Sequence, residues 1–369
     1  MTPHPAKPAV RVRVRPSRLV ANLRAMASLA PAWSVIPVLK SNAYGHGLVP
    51  VAKALEREEG VPFFGLDSYF EAEMLRAAGV MRDLLILGHT PFRTIVENQL
   101  PGLVFTVASL RQLQELRKMR VRARLHVKFD TGMHRQGIML DELDAALAFM
   151  RGTDALSIEG VLSHLADAET PDSPLTKTQI ERWNLLVARC RGGCPGVTWY
   201  HLANSAGFAH AGAIDANAGR TGIALYGVNP GNLATPLSPA LSLESVITEL
   251  RTIESGERVG YNGIFTATRE TRVATVPIGY FEGVDRRLSG KGAYLVQGHE
   301  ALVLGRVSMN ISSCDVTHIP SAAVGDTVVI MSAEKNDANS TERIAQAIGT
   351  IPYEVLVRVP AHLERVFED

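Results

Sequence analysis

Lys40 is the first residue in this sequence placed to do chemistry. The apolar run Val35-Ile36-Pro37-Val38-Leu39 leads into it, and Ser41-Asn42-Ala43-Tyr44-Gly45-His46-Gly47 follows. Such a run, bounded by turn formers, reads as a buried strand with Lys40 at its C-terminal end. A lysine there either snorkels, keeping its ammonium in water, or is buried and suited to Schiff-base chemistry. Phe129-Asp130-Thr131-Gly132-Met133-His134-Arg135-Gln136-Gly137 follows a second run. It is either a polar loop with Asp130 capping a turn or a place where Arg135 offers a planar fork to a carboxylate. Ser163-His164-Leu165 sets an imidazole at the end of a third run, as a structural residue or a base. Asn204-Ser205-Ala206-Gly207 and Gly219-Arg220-Thr221-Gly222-Ile223 combine small residues with element starts. They are ordinary tight turns or backbone N–H cradles for a phosphate.

The elements that must position these residues alternate. Apolar runs fall at Val35–Lys40, Phe63–Leu66, Leu84–Leu87, Leu103–Val107, Ala123–Phe129, Ile158–Leu165, Thr198–Leu202 and Arg220–Tyr226. Helical stretches lie between them, from Val49–Glu59 to Thr176–Cys190, and Ser17 is placed to cap an earlier helix, Arg18–Leu29. Eight runs in this alternation predict a (β/α)8 TIM barrel, with a doubly wound sheet as the alternative. The polar residues favour the barrel. Lys40, His89, Lys128, His164 and Asn204 end or follow runs and Arg220 sits near the last, so a barrel gathers them on one face. After Pro230-Gly231-Asn232 the pattern becomes mostly β. Strands are expected at Leu241–Ile253, Thr271–Ile278, Ala293–Gln297, Ala301–Val307 and Thr327–Ser332, then a helix at Thr341–Ile348 and a last strand at Tyr353–Val359. The expected division is a barrel over 1–232 and a mostly β domain over 233–369, with the strand 10–14 free to join the second.

Composition limits the partners. The chain has 369 residues, 46% hydrophobic and 20% charged, and a net charge of +1, which suits a soluble two-domain protein and disfavours nucleic acid or membrane surfaces. No apolar run nears the roughly 18 residues of a membrane span. Met1–Pro8 is short and Pro-rich, and reads as a loose terminus without a secretory signal. Cys190, Cys194 and Cys314 read as reduced thiols in a cytoplasmic protein, with no second ligand pair to complete a metal site.

The stretch from Val38 to Gly47 resembles the pyridoxal 5'-phosphate lysine motif of the alanine racemase family. The resemblance extends through Lys128-Phe129-Asp130-Thr131-Gly132-Met133, His201-Leu202-Ala203-Asn204-Ser205, Arg220 to Gly227, Gly256 to Gly263, Pro277 to Tyr280, Gly305 to Met309 and Ile351 to Glu354, in family order. It implies that Lys40 carries the cofactor as a Schiff base. Tyr44, Ser205, Gly222, Ile223 and Tyr353 would hold its phosphate, with Asn204 in the same loop. Arg220 would face the pyridine nitrogen, and Arg135 would support the substrate carboxylate and the phenolic oxygen. His164 would link Arg220 to Tyr261, and Tyr280 and Met309 would line the substrate site. Lys128 matches a lysine that can be carbamylated. Tyr261, by itself a turn aromatic between glycines, matches the second catalytic base and would come from the partner subunit of a homodimer.

The resemblance therefore implies a racemase of a small amino acid, alanine, using Lys40 and Tyr261 on opposite faces of Cα. A cation opposite the pyridine nitrogen disfavours its protonation and limits side reactions. Asn310 stands where the family has Asp, Phe281-Glu282 where it has Ala-Asp, and the usual acidic residue near Arg15–Ser17 is absent. These departures leave serine or broader selectivity open. A fold-related decarboxylase is the other enzyme reading, although Cys314-Asp315 matches its motif poorly. A non-enzymatic cofactor-binding barrel lacks the β domain.

Overall fold

The structure, a computed structural model, describes residues 9–152, 156–231 and 233–369. The terminus Met1–Pro8, and Asn232 in the expected turn between domains, lie outside the described residues.

β1 (Arg11–Val14) is followed by the helix Pro16–Leu29 and then by eight parallel strands. These are β2 (Ser34–Pro37), β3 (Phe63–Leu66), β4 (Asp83–Ile86), β5 (Leu103–Val107), β6 (Ala123–Lys128), β7 (Leu156–Leu162), β8 (Trp199–His201) and β9 (Ala218–Thr221). β3 to β8 pair in sequence order and β2 pairs with β9. Val38 bridges to Gly65, and Arg220 N–H donates to Ala203 O at 3.0 Å, so the ring closes as the expected (β/α)8 barrel. Strands covered on both faces read as continuous apolar runs, and β3 and β5 are buried throughout. Ile36, Phe63, Leu85, Val104 and Ala218 pack together inside the ring, with Trp199 against them.

Local chemistry starts the outer helices. Ser68 Oγ accepts from Glu71 N–H while Glu71 Oε2 accepts from Ser68 N–H, a reciprocal cap that opens Tyr69–Ala77. Ser109 and Ser173 cap Leu110–Lys118 and Pro174–Gly193. After β8 and β9 the chain makes 3-10 turns, Ala206–Ala213 and Ile223–Tyr226, in place of helices.

A second compact unit comprises the stretch through Arg18, Tyr44–Gly47 and Ser238–Asp369, and the barrel unit comprises Leu19–Ala43 and Leu48–Leu237. The remaining strands are β10 (Leu241–Val246), β11 (Glu249–Ile253), β12 (Arg258–Val259), β13 (Phe265–Thr266), β14 (Thr271–Val276), β15 (Ala293–Val296), β16 (His299–Leu304), β17 (Ser312–Asp315), β18 (Thr327–Met331) and β19 (Arg365–Phe367). Nine strands form one sheet in the order β11-β14-β17-β16-β15-β18-β10-β1-β19, antiparallel except for β1 and β19. β1 alternates: Val12 and Val14 are fully buried, while Arg11 and Arg13 turn the other way and pair with Glu244 of β10 at 3.1 and 3.0 Å.

Several elements depart from the sequence reading. Tyr353–Val359 is not a strand. Pro352 opens the helix Pro352–Val357, because proline's fixed φ suits the first helical position. The run 220–226 divides into strand and 3-10 turn, and 241–253 divides into β10 and β11. β17 and β19 are too short and polar to announce themselves. Ser17 lies inside the first helix, which starts at Pro16, and its N–H donates to Asp369 Oδ1 at 3.0 Å.

Candidate active site

β2 ends at Pro37, and Lys40 opens a left-handed turn. Ser41, Asn42, Ala43 and Tyr44 have φ of 56°, 56°, 51° and 51°. Each non-glycine residue there is strained by roughly 1–2 kcal/mol, and only Asn adopts the region readily. Neighbours impose the shape. Ala43 N–H donates to Leu39 O (2.7 Å), Ser41 N–H to Glu71 Oε1 (2.7 Å) and Leu48 N–H to Asn42 Oδ1 (2.9 Å). Glu71 thus caps its own helix with one oxygen and pins the lysine turn with the other. The Lys40 side chain is 39% exposed, with Nζ 3.5 Å from the Asp67 carboxylate.

Lys128 closes β6 with its side chain buried, and Nζ donates to Gln136 Oε1 at 3.3 Å. Burial, then the charges of Arg220, Arg135 and Lys40, push its ammonium down to about 8, against the pull of Asp130. His164 lies two residues past β7. Burial and then Arg220, Arg135, Lys128 and Lys40 hold it neutral, well below the usual imidazole range. Four cations acting on one imidazole makes them neighbours at the C-terminal ends of the strands. Asp130 Oδ1 accepts from the N–H groups of Gly132, Met133 and His134 at 2.8, 2.9 and 3.1 Å, which fixes this carboxylate in its loop.

Arg220, on β9, is 4% exposed. One terminal nitrogen donates to His201 Nδ1 and His201 O, both at 2.7 Å. The other donates to Ser163 O (2.6 Å), Leu202 O (3.0 Å) and His164 Nδ1 (3.1 Å). Every one of these acceptors is neutral. Burial lowers the guanidinium to about 9, which leaves it charged at neutral pH. Because an arginine can only donate, His164 Nδ1 must accept, and its Nε2 carries the proton.

The loops after β8 and β9 are tied together. Ser205 Oγ accepts from the N–H groups of Gly222 (3.0 Å) and Ala224 (3.3 Å), and Asn204 Oδ1 accepts from Gly207 N–H (2.9 Å). Ile223 opens a 3-10 turn, whose first N–H groups lack internal acceptors. This end of the barrel therefore gathers Lys40, Lys128, Arg135, His164 and Arg220 with the 204–205 and 222–223 loops. It suits a ligand with a phosphate, a carboxylate and a carbonyl for Lys40 to attack. Among the described residues no group of His, Cys, Asp and Glu is placed to hold a metal ion.

The remaining expected residues lie in the other unit. Tyr261 begins a 3-10 turn between β12 and β13 and is 70% exposed. Tyr280 N–H donates to Ser308 O (3.0 Å) and Phe281 N–H to Met309 O (2.9 Å), which lays the Tyr280 and Met309 segments side by side, both side chains exposed. Asn310 Nδ2 donates to Glu282 Oε1 at 2.6 Å, and Glu282 Oε2 accepts from Gly279 N–H at 2.8 Å. Two of the positions that depart from the racemase pattern, Glu282 and Asn310, are therefore partners. Tyr353 stands with Tyr44, ring centroids 6.2 Å apart.

Two buried residues have a role that the sequence alone does not assign, His126 and His201. His201 Nε2 is 2.9 Å from His126 Nδ1, which extends the Arg220 network into the barrel. The signal was present: His126 is two residues before Lys128, so alternation puts both on the inner face, and His201 stands three before Asn204.

The chain matches the family models for the alanine racemase N-terminal domain over residues 14–230 and the C-terminal domain over residues 240–367. It is 38% identical to an alanine racemase of Syntrophobacter fumaroxidans, covering 90% of each chain. Its structure is similar to that of an alanine racemase of Clostridium difficile 630, with a TM-score of 0.90 at 28% identity, over 99% of this chain and 97% of the other. It is also similar to the biosynthetic alanine racemase of Pseudomonas aeruginosa, with a TM-score of 0.86 at 30% identity, over 98% of this chain and 99% of the other.

Proposed function

The chain belongs to the alanine racemase family, and on that premise we propose that it interconverts L- and D-alanine with pyridoxal 5'-phosphate as cofactor. The observation that carries this reading is the buried Arg220, held by His201, Ser163 O and His164 beside the loops that Ser205 ties together, at the barrel end that also carries Lys40. The donor set suits the cofactor. Lys40 is a half-exposed amine, the 204–205 and 222–223 loops carry small residues and N–H groups for a phosphate, and Arg220 keeps Nε–H without a hydrogen-bond acceptor among the described residues.

Lys40 would hold the cofactor at rest and become a free amine when the incoming amino acid displaces it, and the cofactor would then supply the electron sink that acidifies the substrate's Cα–H. Arg135 holds the substrate carboxylate as a bidentate fork. Lys40 takes or returns the proton on one face of Cα and Tyr261 does so on the other, so the configuration inverts. His164, neutral and with its proton on Nε2, offers that N–H to the tyrosine oxygen while Arg220 fixes the ring. Lys128 as a carbamate would give the cluster an anion and hold Arg135. The resemblance assigns Tyr44 and Tyr353 to the phosphate and Tyr280 and Met309 to the substrate.

We infer a homodimer in which Tyr261 serves the other copy's Lys40. Support comes from the exposed side chains of Tyr261, Tyr280, Phe281, Met309 and Ile311 on the β unit, which a second copy would cover. No helix among the described residues is long and apolar enough to cross a membrane. The three cysteines are buried and unbridged, in keeping with a reducing cytoplasm.

The test is direct. Borohydride reduction of the protein loaded with cofactor should leave the cofactor's mass on the Lys40 peptide, and L-alanine should give D-alanine by chiral chromatography. Labelling of another lysine, or release of CO2 without racemisation, would sink the reading.

A further inference from the structure

Arg220 donates to His201 Nδ1, so that nitrogen holds a lone pair and the neutral ring carries its proton on Nε2. That proton points at His126 Nδ1, 2.9 Å away, which must therefore accept. The proton of His126 then sits on Nε2, a buried atom with no hydrogen-bond partner among the described residues. One donor at one end thus dictates both tautomers. Each ring turns its lone pair toward the guanidinium, and the two dipoles reinforce one another.

Packing does not account for this arrangement. Both histidines are fully buried. A buried N–H without an acceptor is destabilising, and a leucine would fill similar volume without that penalty. The barrel also makes room for the His126 ring. A Cβ added to Gly160 on β7 would lie 2.7 Å from it, and Phe63 meets it edge to face at 5.4 Å. Burial, and then the cations Arg124 and Arg220, keep the His126 ring neutral. A carboxylate in place of His201 would also hold Arg220, but it would cancel the charge. Neutral imidazoles fix the guanidinium and leave its field intact.

We propose that His201 and His126 are positioning residues that hold Arg220 in one orientation as an uncompensated cation, so that His126, which touches neither substrate nor cofactor, tunes the cofactor's pyridine ring through two hydrogen bonds. The tuning rests on the reading that Arg220 faces the pyridine nitrogen; the hydrogen-bonded chain itself does not.

The experiment has two arms. In the first, 15N NMR of the apoprotein labelled at histidine and arginine should show both rings neutral, protonated on Nε2, from pH 6 to 9. His126→Leu should move the His201 and Arg220 side-chain resonances. His126→Asn, whose Oδ1 takes the place of the accepting nitrogen, should restore them. Phe63→Leu, which loosens the same ring without touching the hydrogen bonds, should leave them in place. A proton on Nδ1 of either ring in the unmodified protein, or resonances unmoved by His126→Leu, overturns the proposal, and the first of these needs no variant to fold. In the second arm, the visible absorbance of bound pyridoxal phosphate is titrated. His126→Leu should shift its midpoint by about half a pH unit, as expected for a dipole removed from a buried charge, while His126→Asn and Phe63→Leu should not. An equal shift in Phe63→Leu would reduce His126 to a packing residue and refute the tuning. Failure of the protein to bind the cofactor would count against the functional reading alone, and the first arm would still decide the chain.

Discussion

Removing the charge of Lys128 should stabilise the protein at neutral pH, and the gain should vanish in alkali. Its ammonium is pushed from 10.5 to about 8 by burial and by Arg220, Arg135 and Lys40. At about 1.4 kcal/mol per pH unit, that gap is worth roughly 3 kcal/mol. The folded chain binds this proton less tightly than the unfolded chain. Below pH 8 both carry it, and the folded state bears the whole penalty. Between pH 8 and about 10.5 only the unfolded chain keeps it, so stability rises with pH. Lys128→Met keeps the unbranched stem and removes the charge. In CO2-free urea titrations the variant should exceed the parent by about 2 kcal/mol at pH 7, after roughly 1 kcal/mol is lost with the Gln136 hydrogen bond. The difference should fall to zero or reverse by pH 10.5. Bicarbonate at pH 8 provides the second test. The neutral amine attacks CO2, forming an N–C bond and releasing one proton, and the resulting carbamate anion sits among cations. The parent should gain about 3 °C or more in Tm and Lys128→Met should gain nothing. A stability difference that does not change with pH would refute the electrostatic reasoning, and a bicarbonate response shared by both proteins would refute the carbamate.

Lys40→Ala and Tyr261→Phe should each abolish racemisation, and confirmed mixed dimers should recover about a quarter of wild-type sites, since about half the dimers are mixed and each has one complete site; tagged heterodimers without activity would refute the shared site. Gly45→Ala should lower stability by about 3 kcal/mol at unchanged urea slope, because its Cβ would collide with Leu356 O at a φ of +83°. Asn310→Asp should destabilise by about 2 kcal/mol at neutral pH by setting two carboxylates together, and Glu282→Gln in the same chain should restore the loss. If that pair also shapes the substrate site, Asn310→Asp will change the kcat/KM ratio of alanine to serine; an unchanged ratio puts selectivity elsewhere.

The barrel was legible because its strands are buried on both faces and its helices carry their own caps. Phe63–Leu66 and Leu103–Val107 fall where the apolar pattern puts them, and Ser68, Ser109 and Ser173 open three of the helices. Pro352–Val357 was not, since Val355 and Val357 suggest a strand and only Pro352 argues otherwise. The left-handed turn after Lys40 was invisible for a different reason. Ser41, Ala43 and Tyr44 have no local preference for it, and the contacts that impose it come from Leu39, Leu48 and the distant Glu71. The sequence assigns no role to His126, and to His201 only a place in a motif, because their meaning depends on β6 and β8 facing across one interior.

The place of β1 bears on synthesis. Its neighbours in the sheet are β10 and β19, so the ribosome makes β1 first and its partners only after the whole barrel sequence. About 230 residues separate β1 from β10, roughly 10 to 45 s of translation at 5–20 residues per second. Through that interval Val12 and Val14 have no sheet to enter, and a strand with both edges open is a template for the wrong partner. Arg11 and Arg13 alternate with those valines. In the nascent chain, before Glu244 exists to pair with them, their repulsion guards β1 against pairing with a copy of itself.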